Sequence, residues 1–182
     1  MIIKEQALKE LCNCTDSDIK KLNGNIPTYE YLANIQNAFN LVKLLPHEGK
    51  ISQRAFAVLC TERIKELNVN KTIQEGFEVI RQRVNDVNLV SDSDLKKVQE
   101  NINKIEDQND IAFLARKTIL TCAAIKADEA ASACGLVLQT ILGLATLTAK
   151  LTTVEFREEV SSTINKIQLG ILSRLLIEYQ TE

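Results

Sequence analysis

Apolar residues recur along this chain at intervals of three and four, the spacing that gathers them on one side of an α-helix. Ile3, Ala7, Leu8 and Leu11 form the first stripe, and Asn13-Cys14-Thr15 interrupts it. Thr15 is placed to cap a short helix ending at Leu22. Asn23-Gly24-Asn25 stops that helix, with Gly24 suited to the left-handed position after a helix end. Thr28 can cap a helix carrying Tyr29, Leu32, Ala33, Ile35, Ala38 and Phe39, which the pattern extends, with a break near Asn40, to Leu45 and Pro46. After the loop His47-Glu48-Gly49-Lys50, Ser52 opens a helix striped by Ala55, Phe56, Leu59, Cys60, Ile64 and Leu67.

The second half repeats the pattern more strongly. Thr72-Ile73-Gln74-Glu75 has the form of a capping box, and Ile73, Phe77, Ile80, Val84 and Val87 follow it. Ser91-Asp92-Ser93-Asp94 starts a helix with Leu95, Val98, Ile102 and Ile105. A polar turn at 107–110 precedes another with Ile111, Leu114, Ala115, Thr118, Ile119, Cys122 and Ile125. Thr152 with Glu155 makes a second capping box, and the last helix, about 153–179, is striped by Phe156, Val160, Ile164, Ile167, Ile171 and Leu175, with Leu172 and Leu176 beside them. No period of 30 to 45 residues repeats, and no linker divides the chain. The expectation is an all-α, single-domain bundle over residues 1–182, with eight or nine helices joined by short turns.

One stretch breaks the amphipathic rule. Ala130 to Ala149, AASACGLVLQTILGLATLTA, carries no charge in a chain that is 25% charged. Its length meets the criterion for a membrane span. Ser132, Gln139, Thr140, Thr146 and Thr148 dilute it, no aromatic residue flanks it, and Lys150 alone supplies no positive-inside bias. The reading favoured is a central helix (about 129–150), apolar all round because the other helices cover it all round; the remaining alternative to a membrane role is that a partner or a second copy covers one face. Ala127, Ala131 and Gly135, with Gly143 and Thr146 continuing roughly the same side, give it a small face for close helix contacts, so bulk at Gly135 is expected to overpack.

Composition supports helices: two prolines, six glycines and 4% aromatic residues in 182. The net charge is −2 and no run of Lys or Arg exceeds two, so the basic footprint of a nucleic-acid binder is missing. Charges at Lys4, Glu5, Lys9 and Glu10 break the apolar core a signal peptide needs, which points to the cytoplasm.

The chemistry-bearing residues are sparse. Five cysteines without a C-x-x-C pair and one histidine, His47, leave no tetrahedral zinc set. Cys12 and Cys14 lie near the start of the second helix, where a helix amino end can activate a thiol, but incidental reduced thiols are the favoured reading. The acid clusters Glu106-Asp107 with Asp110, Asp128-Glu129, and Glu158-Glu159 read as helix starts and solvated faces. No cofactor, metal or catalytic residue is expected, and the chain is read as a non-enzyme. Tyr29, Tyr31, Phe39 and Tyr179 are the aromatic residues placed for partial exposure and so for anchoring a partner, with core packing the commoner fate of such residues.

Three segments carry a resemblance: Pro27-Thr28-Tyr29-Glu30-Tyr31-Leu32, then Ala38-Phe39-Asn40-Leu41-Val42-Lys43-Leu44-Leu45-Pro46, then Ala55-Phe56-Ala57-Val58-Leu59-Cys60. Over residues 5–65 the chain resembles an uncharacterised family of bacterial all-helical proteins, a domain of unknown function often encoded among type VI secretion genes. The likeness lies in packing residues and transfers no catalytic or binding residue. Here Ala55-Phe56 stands at the family's aromatic pair, and there is no tryptophan. The resemblance implies a helical fold and a bacterial protein that works through another protein, as an adaptor or accessory secretion component. The alternative is an immunity protein that occludes a toxin, for which a mildly acidic surface would speed association with a basic target. Homo-oligomerisation is compatible with either.

Overall fold

A computed structural model describes residues 5–22, 29–67, 70–107, 109–149 and 153–181. The described residues form helices joined by turns, with no strand among them. The ten α-helices are α1 (Glu5–Cys12), α2 (Asp16–Leu22), α3 (Tyr29–Ala33), α4 (Gln53–Thr61), α5 (Lys71–Asn85), α6 (Asp92–Asn103), α7 (Asp110–Cys122), α8 (Ala127–Ala131), α9 (Ala133–Ala149) and α10 (Val154–Thr181). Two 3-10 helices, Ala38–Leu44 and Lys65–Leu67, complete them. The all-α, single-domain fold is as expected. The Gly24 turn, the Thr28 cap and the Thr152 half of the second capping box lie outside the described residues.

Short polar side chains start the helices by accepting the free N–H groups of the first turn. Ser52 accepts from Ala55 N–H at 3.0 Å to open α4, and Asn109 accepts from Ala112 N–H at 2.9 Å to open α7. At α6, Ser91 and Asp94 close a reciprocal capping box. At α5 the expected box does not form. Asn70 caps instead, accepting from Thr72 N–H at 2.9 Å, so the helix starts at Lys71 and Thr72 lies inside its first turn.

The helix expected over 28–45 is broken earlier and differently. α3 stops at Ala33, Asn37 takes a left-handed conformation at φ +57°, and Ala38–Leu44 continues as a 3-10 helix. Asparagine tolerates that backbone better than most residues. The 3-10 turn brings Asn40 Nδ2 to 2.7 Å from Leu11 O, which supplies a donor to a carbonyl at the end of α1.

The larger correction concerns the centre. The apolar stretch is not one helix covered on all sides. Ser132 divides it into α8 and α9, its hydroxyl donating back to Glu129 O at 2.6 Å. Within α9 only Ala133, Val137 and Thr140 are buried, Gly135 and Gln139 are exposed, and the remaining described side chains are half-buried. One wall of α9 rests on α7, α4 and α10, and the opposite wall is covered only in part.

The element covered all round is α4, where Gln53, Arg54, Ala55, Phe56, Ala57, Val58, Cys60 and Thr61 are all buried. Phe56 and Cys60 belong to a core shared with α1, residues 31–45 and the carboxyl half of α10. Ala57 and Val58 belong to a second core with α5, α6, the end of α7 and α8. α4 is the wall between the two.

Gly135 also departs from expectation. A Cβ there meets nothing within 4 Å, so it faces open space and makes no close contact. The tight approach of α9 to α7 is at Gly143, whose Cβ would fall 2.8 Å from Ile111 Cδ1. Gly135→Ala is therefore expected to stabilise the protein by about 0.5–1 kcal/mol, through helix propensity alone. Thermal unfolding checks this, with a rise in Tm of about 1–4 °C.

Candidate functional site

The candidate chemistry is dispersed. His47 is exposed in the loop before α4. Glu48, beside it, is committed to Arg54. Asp107 makes a two-pronged pair with Arg116, at 2.8 Å to Nε and 2.6 Å to Nη2. Glu129 pairs with Lys126 at 3.3 Å, and Glu158 and Glu159 are exposed. Among the described residues no group of three His, Cys, Asp or Glu could hold a metal ion.

The thiols are turned away from reactivity. Burial pushes Cys12 up to about 11 and Cys122 up to about 12, and it raises Cys14, Cys60 and Cys134 as well. For Cys14, burial and then the Asp18 carboxylate outweigh any activation by the amino end of α2. Because only the thiolate is nucleophilic, Cys12 at pH 8 carries about 100-fold less of the reactive form than a free thiol. Iodoacetamide at pH 8 is expected to leave Cys12, Cys60 and Cys122 unmodified in the folded protein and to modify all five cysteines in denaturant. Intact mass spectrometry reads the difference.

The four aromatic anchor candidates do not form a surface patch. The Tyr29 side chain lies outside the described side chains. Tyr31 is 6% exposed and belongs to the first core, so it is corrected from partner anchor to packing residue. Phe39 is half-buried, with its ring centroid 6.4 Å from that of Phe56. Tyr179 alone is appreciably open, at 37%.

Two features stand out in the structure, and the first of them was not singled out from the sequence. The first is Arg54, which is fully buried. Its Nε and Nη2 hold Glu48 at 2.8–3.0 Å. Nη1 donates to Cys122 O at 2.8 Å and Ala124 O at 2.7 Å, and Nη2 to Ile125 O at 2.9 Å. Every guanidinium N–H therefore has an acceptor, and three carbonyls at the end of α7 receive a cation where the helix dipole favours one. The signal available was an arginine opening a run, Ala55-Phe56-Ala57-Val58-Leu59-Cys60, that has no polar position on any side. Its role is structural.

The second is the α9–α10 hairpin. From Ile141 to Ile167 no described side chain is buried, although Ile141, Leu142, Phe156, Val160, Ile164 and Ile167 are apolar and Val154 is 66% exposed. Gln168 Nε2 ties the base of the hairpin by donating to Cys134 O at 2.8 Å. Along α9 the hydroxyls of Thr140 and Thr146 donate to Leu136 O and Leu142 O, each at 2.8 Å. These threonines are satisfied within their own helix and do not depend on water. The segment 127–146 is the one stretch among the described residues long and apolar enough to cross a membrane, and 22% of its most apolar window is buried.

No family model, curated protein or solved structure matches this chain.

Proposed function

We propose that the chain acts by binding another protein, as a non-enzymatic adaptor or accessory component, and that the outer wall of α9 is the contact surface. The observation that carries this reading is the partly uncovered hairpin. On the outer side of α9 Gly135 and Gln139 are exposed and Leu138 and Leu142 are half-buried, an uncharged surface on a helix whose Thr140 and Thr146 hydroxyls are already bonded. An apolar patch of this kind commonly marks an interaction site, and satisfied hydroxyls suit a dry contact. An amphipathic helix laid along α9, its apolar residues at i, i+3, i+4 and i+7, fits the chemistry. The bacterial setting proposed, beside a secretion assembly, rests on the sequence resemblance alone.

Affinity purification from the native host tests the reading, with Leu142→Glu as the control. Recovery of structural subunits of one assembly, lost in the variant while circular dichroism stays unchanged, is the expected result. Recovery of a single toxin would move the function to the immunity alternative. Stoichiometric binding of a metal or nucleotide would overturn both.

A further inference from the structure

Three cations far apart in the sequence meet at one cavity. Lys50 of the loop before α4, Arg81 of α5 and Arg174 of α10 line a space of about 260 Å³. Val58 and Leu59 of α4 and Val84 of α5 give it an apolar part, and Asn85 adds a neutral amide. One carboxylate, Glu62, shares the lining. It is already engaged twice, by Lys65 at 2.9 Å and by Arg81 Nε at 3.1 Å. Arg81 is held from a second direction as well, its Nη1 donating to Glu78 at 3.0 Å. Lys50 and Arg174 are not committed in this way. The nearest carboxylate recorded for Arg174, that of Glu178, stands 3.6 Å from Nε, beyond hydrogen-bond length. Lys50 makes no ion pair among the described residues. A chain of net charge −2 therefore gathers two spare positive charges beside an apolar surface.

The geometry points to a binding site for a small phosphate monoester, its dianion between Lys50 and Arg174 and its organic group on Val58, Leu59 and Val84. Charge selects the ligand class. A phosphate monoester carries about two negative charges above its second pKa of about 6 and matches the two spare cations, whereas a carboxylate would leave one unmatched. Arg81, fixed by its two carboxylates, is the third donor in the lining and is oriented before the ligand arrives. Ligand cavities commonly start at about 300 Å³, so this one suits a small organic group. No residue of α9 lines the cavity, and the inference stands apart from the function proposed for that helix.

Phenyl phosphate at pH 8 and low salt is the probe. Isothermal titration calorimetry should show one site with Kd below about 1 mM. Lys50→Gln and Arg174→Gln should each weaken binding about three- to fivefold, as loss of an exposed charge contact does. Both side chains are exposed, so circular dichroism should be unchanged. Lys71→Gln, which removes an exposed cation elsewhere on α5, should leave Kd as it is. Inorganic phosphate offers nothing to the apolar part and should bind about fivefold or more weakly than phenyl phosphate. No saturable heat up to about 10 mM probe overturns the inference. So does binding indifferent to Lys50→Gln and Arg174→Gln, or weakened as much by Lys71→Gln. Equal affinity for the two phosphates would remove the apolar subsite and overturn it too.

Discussion

Arg54→Met should lower the unfolding free energy by about 3–5 kcal/mol, the cost of breaking a buried ion pair from one side. Methionine nearly fills the volume, so the loss is electrostatic. Glu48, with 19% of its side chain exposed, keeps its charge and loses its closest cation. Arg83, whose Nη2 is 3.6 Å from Glu48, cannot replace it, because it is held by Asp92 at 3.1 Å and by the carbonyls of Val87 and Val90. Cys122 O, Ala124 O and Ile125 O lose their donors in the same step. Urea denaturation measures the change. The companion Glu48→Gln/Arg54→Met should recover part of the loss, because the stranded charge is gone while the bare carbonyls remain. Equal stability of the single and double variants would show that the carbonyls, and not Glu48, dominate.

Phe56→Ala should cost about 3–5 kcal/mol as well, for a different reason. Phe56 is fully buried on α4, packed on the first core beside Phe39. Its neighbours come from α1, the 31–45 segment and α10, so no single element can shift to fill the void. For a chain of this length the loss corresponds to a fall in Tm of about 10 °C, measurable by calorimetry. Phe113→Ala makes a fair contrast. That ring is 43% exposed, with Arg116 5.6 Å from its centroid, and its removal should cost less than about 1 kcal/mol.

Local structure was legible where the physics is local. Ser52, Ser91 and Asp94 announce helix starts because the hydrogen bonds they make are closed within three residues. Thr72 misled for the same reason. Asn70, two positions earlier, competes for the same N–H groups, and a pattern cannot say which of two good caps will win. The break at Asn37 was equally hidden, because an asparagine in a left-handed turn looks like one on a helix surface.

Burial is not a local property, and there the sequence pattern went astray. Hydrophobicity marked 130–149 as the post of the bundle, yet α9 is fully covered on one wall only, while α4, shorter and carrying an arginine, is covered on every side. An apolar residue states a preference for leaving water; it does not state which neighbour will take it out. That depends on where the stripes of the other helices point once all are packed. The sequence by itself determined that this chain is all helix, where most helices begin, and that its chemistry is sparse. Only the tertiary structure decided that Arg54 sits at the centre with every donor used, that Gly135 faces open space, and that the longest uncharged segment lines an outer wall. A periodic stripe is a property of one helix, whereas enclosure is a property of all of them together.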